Sequence, residues 1–126
     1  MTAPIILRYG LPFVSVVIDA NDQQLRLENV LLDTGAAATV FRTDDLLAIG
    51  VMPAPTDHVR FMAGIGGREA VIEKQIDKLV VGNLLVAPFT IQLGAMDYGF
   101  EINGIVGMDF LLATRATIDL SKLVVG

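Results

Sequence analysis

The stretch Leu31-Leu32-Asp33-Thr34-Gly35-Ala36-Ala37-Ala38-Thr39-Val40-Phe41 decides the fold. An apolar run ends in one carboxylate, and small residues then lead into a second apolar run. A carboxylate among so many apolar neighbours is costly to bury unless it has partners. Gly35 lets the backbone turn sharply, and the three alanines leave a smooth wall. The pattern predicts a carboxylate at the end of a strand, on the floor of a cleft.

The residues before this stretch predict a hairpin that delivers Asp33. The run 13–18 is almost entirely apolar and β-branched, which is typical of a buried strand. A polar turn at 19–22 follows it, and Leu25, Leu27 and the run 30–32 form the return strand.

The middle of the chain predicts a second hairpin. Residues 58–61 and 69–72 read as two strands, joined by Gly64-Ile65-Gly66-Gly67. Alone, this stretch favours an ordinary glycine-rich hairpin with an apolar tip. It is not a dinucleotide-binding fingerprint, because Glu69 stands at the last glycine position and no helix pattern follows.

Further along, Ile105-Val106-Gly107 ends a short apolar strand, and Met108, Leu111 and Leu112 have helical spacing. This strand, small residue and helix repeat the order seen around Asp33. Smaller elements are also predicted: a short helix capped by Thr43 and ended by Gly50, a hairpin of 76–81 and 84–93 with Pro88 at an edge or bulge, and a closing strand at 116–120.

Three of these stretches, taken together and in this order, resemble the motifs of the retropepsin-like aspartic peptidases. Asp33-Thr34-Gly35-Ala36 is similar to their D-T-G-[AS] motif, residues 64–67 to the tip of their flap, and residues 105–107 to their second hallmark. The resemblance covers nearly the whole chain. It implies one domain, 1–126, with an all-β, closed barrel-like acid-protease fold and one or two short helices.

The resemblance also implies an aspartic endopeptidase that needs neither a cofactor nor a metal. In this family a water held between two carboxylates attacks the peptide bond, one carboxylate acting as base and the other, protonated, as acid. The sequence has one D-T-G, and no other aspartate precedes Thr-Gly or Ser-Gly. We therefore expect an obligate homodimer acting on a peptide or protein substrate, with one Asp33 from each chain.

Roles for other residues follow from the same resemblance. Thr34 would hydrogen-bond across the dimer axis, and Gly35 would offer its carbonyl to the substrate backbone. The residues expected to contact substrate are Gly35, Ala36, Ala37, Ala38, Gly64, Ile65, Gly66, Gly67 and Val106.

The sequence departs from the viral members of the family in three places. Ala37 and Ala38 stand where acidic residues are usual, and Met108 stands where arginine is usual. Because both partners of one ion pair are missing together, no charge is left unpaired. We expect a cellular, bacterial-type relative. Ala36 removes a possible hydrogen-bond donor to the aspartate, so activity is expected at mildly rather than strongly acidic pH.

Composition excludes several other classes of function. The 126 residues carry a net charge of −5 with no basic run, which disfavours nucleic acid. Cysteine is absent and the one histidine, His58, lies on the polar side of a predicted strand, so a thiolate nucleophile or Cys-type zinc site is excluded. No apolar run reaches membrane-spanning length, and no signal peptide is visible, which predicts a cytoplasmic protein without membrane contact.

Two alternatives to an active peptidase remain open from the sequence. The first is a retropepsin-fold module kept for dimerisation or peptide binding, with weak or no catalysis. The second is a β-barrel module of a larger assembly in which the Asp33 loop is accidental. An intact Asp33-Thr34-Gly35 favours the active enzyme over the first. The flap hairpin, if present, argues against the second.

Overall fold

The chain is mostly β-structure. The computed structural model describes the backbone of residues 1–64 and 67–126 and the side chains of 1–61 and 69–126. The strands are β1 Ala3–Pro4, β2 Ile6–Arg8, β3 Leu11–Ala20, β4 Gln23–Leu32, β5 Val40–Arg42, β6 Val59–Gly64, β7 Gly67–Ile76, β8 Lys78–Val81, β9 Leu84–Val86, β10 Phe89–Gly94, β11 Gly104–Val106, β12 Ile118–Asp119 and β13 Val124–Val125.

Two short α-helices interrupt the strands in the described part of the chain, α1 at Thr43–Leu46 and α2 at Met108–Thr114. A 3₁₀ turn at Leu47–Ile49 follows α1 and ends at Gly50, whose φ of 73° confirms it as the stop signal. The predicted cap at Thr43 is wrong. Arg42 occupies the N-cap, and the Thr43 hydroxyl donates instead to the Gly94 carbonyl at 3.4 Å.

The β3–β4 hairpin forms as predicted, and a bulge sets the phase of its second strand. Pairing shifts between Val14 and Val16, and Asn29 takes a positive φ of 57° opposite this shift. The shift explains why the buried positions of β4 step from Leu27 to Val30 and then alternate to Leu32. Leu32 is therefore in the core when the strand ends, and Asp33 follows it into the loop.

The larger sheet runs in the order β6-β7-β10-β5-β11-β4-β3-β8-β9, with β2 also paired to β3. Most neighbours are antiparallel, but β11 is parallel to β4 and β10 is parallel to β5. The all-β class is confirmed. The expected closure into a barrel is not seen, because the path ends at β6 and β9, the outer strands of two hairpins, and these are not paired to each other.

The predicted hairpin of 76–81 and 84–93 is correct at its turn and wrong in its length. The chain turns at Gly82-Asn83 as expected, but only β8 and β9 pair there. Beyond Ala87 and Pro88, which are joined by a cis peptide bond, β10 leaves this hairpin and pairs with β7 and β5. Pro88 therefore lies between two strands, and β10 belongs to the centre of the sheet.

Two groups of buried apolar side chains hold the sheet together. The larger packs residues of β3, β4, β8 and α2 with the 3₁₀ turn. The smaller consists of Phe13, Val40, Val71, Met96 and Ile102. Separately, β1, β13 and β12 form a small antiparallel sheet that joins the two ends of the described chain. No helix in the described residues has the length and apolar character needed to cross a membrane.

Candidate active site

Asp33 lies immediately after β4, in a loop that is tied to β11. Its backbone N–H donates to the Val106 carbonyl at 3.0 Å, which extends the parallel β4–β11 pairing by one residue. The Gly35 N–H donates to Asp33 Oδ1 at 2.9 Å, and the Ala36 N–H donates to the Asp33 carbonyl at 3.2 Å. Hydrogen bonds thus hold the backbone of Asp33 and one oxygen of its half-buried carboxylate.

A buried hydrogen-bond network lies behind this loop. Thr39 is fully buried, and its hydroxyl donates to Asp109 Oδ1 at 2.7 Å while accepting from the Gly107 N–H at 3.1 Å. The Thr39 N–H donates to Asp109 Oδ2 at 3.0 Å. Because buried polar groups need partners, this network fixes the loop that carries Asp33 against the start of α2.

The backbone of the alanine segment also binds to the start of α2. The Met108 N–H donates to the Ala36 carbonyl at 2.8 Å, and the Asp109 N–H donates to the Ala37 carbonyl at 3.2 Å. There is no room for a side chain at Gly107, since an added Cβ would lie 2.5 Å from the Ala38 carbonyl oxygen. The second predicted motif therefore acts as a support for the first.

The predicted site residues differ in how the structure places them. Thr34, Gly35 and Ala37 are exposed, and Ala36 and Ala38 are half-buried beside Asp33. The Val106 carbonyl accepts a hydrogen bond from the Asp33 N–H and so helps to hold the loop. The Val106 side chain is fully buried and has no accessible surface for substrate.

The predicted flap hairpin is formed by β6 and β7. Their pairing runs from Val59 opposite Ile72 to Gly64 opposite Gly67. Ile65 and Gly66, which were expected to contact substrate, lie outside the described residues. β7 continues past the hairpin and pairs with β10, which connects the hairpin to the centre of the sheet.

Sequence reasoning missed the roles of Thr39, Asp109 and Glu69. Asp109 does not match the predicted motif, because neither Thr-Gly nor Ser-Gly follows it, although a carboxylate in the first turn of a helix is a recognisable stabilising feature. Glu69 binds the loop after β10 through Met96 and Tyr98. Among the described residues, no group of three or more His, Asp or Glu side chains is placed to hold a metal ion.

Comparison with known families identifies the chain. A family model described as "Aspartyl protease" matches residues 14–110, which includes the Asp33 loop, the β6–β7 hairpin and most of the strand–helix unit after Gly104. The chain belongs to this aspartyl protease family, which is of retropepsin-like type. The comparison with curated proteins gave no match.

Proposed function

We propose that this protein is an aspartic endopeptidase that works as a homodimer, with Asp33 of each chain contributing one catalytic carboxylate. The observation that carries the proposal is the arrangement of that side chain. Asp33 Oδ1 accepts the Gly35 N–H, whereas Oδ2 accepts no hydrogen bond from the described residues. The carboxylate is therefore oriented through Oδ1, and no group among the described residues occupies the hydrogen-bonding positions of Oδ2 that water or substrate would need.

The requirement for two chains rests on the chemistry. Peptide hydrolysis by this route needs one carboxylate that takes a proton from water and one that donates a proton to the scissile carbonyl. The sequence supplies one D-T-G per chain, and the exposure of Thr34 and Gly35 leaves that loop free to meet its symmetry mate. Two carboxylates at a dimer axis would share one proton and titrate as a pair.

Cleavage of a mixed peptide library between about pH 4 and 7 tests this proposal, since the pair must hold one proton. Asp33→Asn keeps the size of the side chain and removes the ionisable group. We expect the parent protein to cleave and the variant to lose at least about 100-fold in rate. Sedimentation of both proteins at micromolar concentration should show the dimer in each.

A well-folded dimer that cleaves nothing across this range would replace the enzyme with a peptide-binding or dimerisation module. A protein that sediments only as a monomer would contradict the shared-carboxylate mechanism.

A further inference from the structure

Glu69 connects the β6–β7 hairpin to the loop between β10 and β11, residues 95–103. It lies on β7, two residues beyond the Gly64–Gly67 pair that ends the described hairpin. Glu69 Oε1 accepts the Met96 N–H at 3.2 Å, and Oε2 accepts the Tyr98 hydroxyl at 3.3 Å. Both carboxylate oxygens therefore bind one short segment of a different element.

The surroundings of Glu69 are shaped to allow this contact. A Cβ added at Gly94 would lie 3.1 Å from Glu69 Oε1 and 3.3 Å from a methyl carbon of Val71. Absence of a side chain at Gly94 thus leaves the space that the carboxylate needs. The Met96 side chain is itself buried with Val71 in the smaller apolar group. The hydrogen bonds and this apolar packing therefore join the same two elements, β7 and the 95–103 loop.

Tyr98 remains a donor over the whole acidic and neutral range. Burial raises the pKa of its hydroxyl above the ordinary value, and the negative charge of Glu69 raises this pKa further. A group whose pKa is raised from 10.0 stays protonated below that pH, so the Tyr98 proton is available to Glu69 under any condition in which the protein would act.

We propose that Glu69 is a positioning residue that holds the β6–β7 hairpin and the 95–103 loop together as one wall over the substrate cleft. This rests on the proposed peptidase function. Both elements are connected to the Asp33 site. β10 and β11, which flank the 95–103 loop, pair with β5, the strand that leaves the Asp33 loop, and the hairpin joins β10 through β7. A wall already in place spares the substrate the cost of ordering it, so the contact should favour binding rather than chemistry.

Steady-state kinetics with four variants measure this effect. Glu69→Ala should raise KM roughly 5- to 10-fold and leave kcat within about twofold, because Asp33 is untouched. Tyr98→Phe, which removes one of the two hydrogen bonds, should raise KM by a smaller factor. Glu69→Gln should restore KM to within about twofold, since an amide oxygen accepts the Met96 N–H and the Tyr98 hydroxyl accepts from the amide nitrogen.

Glu73→Ala is the matched control. Glu73 lies on the same strand, but its carboxylate binds Arg60 of β6 at 3.0 Å and so pairs within the hairpin. Its loss removes a charge from β7 without touching the 95–103 loop, and KM should stay near the parent value. An equal rise in KM for Glu73→Ala would overturn the proposal, as would a fall in kcat at unchanged KM for Glu69→Ala.

Amide hydrogen exchange of the full chain gives a readout that needs no activity. The Met96 amide should exchange about 10-fold faster or more in Glu69→Ala, and at close to the parent rate in Glu69→Gln and Glu73→Ala. Unchanged Met96 exchange in Glu69→Ala would show that the contact does not form. If Glu69→Ala fails to fold, Tyr98→Phe decides through its smaller KM rise.

The two proposals fail in different ways. A parent protein that cleaves no peptide but shows the exchange effect would overturn the proposed function, and with it the role in substrate positioning, while leaving the contact itself established. A parent protein that cleaves peptides with no exchange or KM effect in Glu69→Ala and Tyr98→Phe would overturn the role of Glu69 alone.

Discussion

Thr39 joins the two halves of the Asp33 site through one fully buried hydroxyl, which donates to Asp109 and accepts from the Gly107 N–H. Thr39→Val keeps the shape of the side chain and leaves the buried Gly107 N–H without its acceptor, while Asp109 Oδ1 keeps its hydrogen bond from the Phe110 N–H. An unsatisfied buried group costs about 1–3 kcal/mol. We expect a loss of that size in the free energy of unfolding, measured by urea denaturation.

Thr39→Ser is the control for this substitution, because it removes a methyl group and keeps the hydroxyl. It should be destabilised less than Thr39→Val. If the two variants unfold at the same urea concentration, the hydroxyl network does not hold the site and the destabilisation comes from packing alone.

Asp57 makes part of the stability of the fold dependent on pH. The Ala54 N–H donates to Asp57 Oδ2 at 2.6 Å, and the Lys74 ammonium donates to Oδ1 at 3.1 Å. These two contacts hold the pKa of Asp57 below its ordinary value of 3.8. A carboxylate with a lowered pKa stabilises the fold above its unfolded pKa and loses this effect as pH falls through the folded pKa. The advantage of the parent over Asp57→Asn should therefore be full above about pH 5 and shrink below pH 4.

Urea midpoints measured from pH 6 to pH 3 check this dependence. Asp22→Asn, at the exposed turn of the β3–β4 hairpin, is the matched control. A difference between the parent and Asp57→Asn that stays constant over this range would contradict the assignment.

At the residue scale, the sequence reveals the groups that stand out chemically and hides those that act through distant partners. Asp33 could be found because a lone carboxylate between apolar runs is costly to bury without partners and because Thr34 and Gly35 complete a recognisable motif. Asp109 and Thr39 are 70 positions apart, and nothing near either one indicates that they meet. Glu69 is hidden in the same way, since its partners follow it by 27 and 29 positions.

At the scale of elements, the junction between β11 and α2 supports the Asp33 loop by close backbone contact. Gly107→Ala would place a Cβ 2.5 Å from the Ala38 carbonyl oxygen and 2.9 Å from that of Ala36. Those atoms belong to backbone that cannot move without shifting the loop. We expect a loss of stability of about 1–3 kcal/mol and a fall in kcat for the molecules that remain folded.

Gly104→Ala separates these two effects. Its Cβ would lie 2.5 Å from the buried Phe41 ring, so it should destabilise the fold to a similar extent. The clash is with a side chain on the neighbouring strand rather than with the Asp33 loop. Active-site titration of both variants should show reduced kcat per folded dimer in Gly107→Ala only. Equal kcat losses in both would contradict the specific role of Gly107.

Elements that depend on neighbouring sequence were predicted well, and those that depend on remote pairing were not. The β3–β4 and β6–β7 hairpins, β11 and α2 are all encoded by local alternation, turns and spacing. The run 84–93 predicts a single strand of the preceding hairpin, which merges β9 and β10. Its actual partners are β7 and β5, and local patterning carries no information about which strand a central strand will join.

At the scale of the whole molecule, a shared site makes activity depend on subunit mixing. If every active dimer needs two Asp33 carboxylates, an equal amount of Asp33→Asn added to the parent and allowed to exchange should reduce activity to about half, because half of the parent chains enter mixed dimers. A ninefold excess should leave about a tenth. Activity that is indifferent to the added variant would show that one chain suffices.

The contacts that fix Asp33 also have a consequence for biosynthesis. Val106, Gly107 and Asp109 hold the loop of residues 33–39, and they are made some 70 positions after it. A chain emerging from the ribosome therefore completes the β3–β4 hairpin long before the strand that belongs beside it exists. The aspartate loop stays unsupported until translation passes residue 109. An unfinished chain accordingly has no supported Asp33 loop, and this delay follows from the order of the strands along the chain.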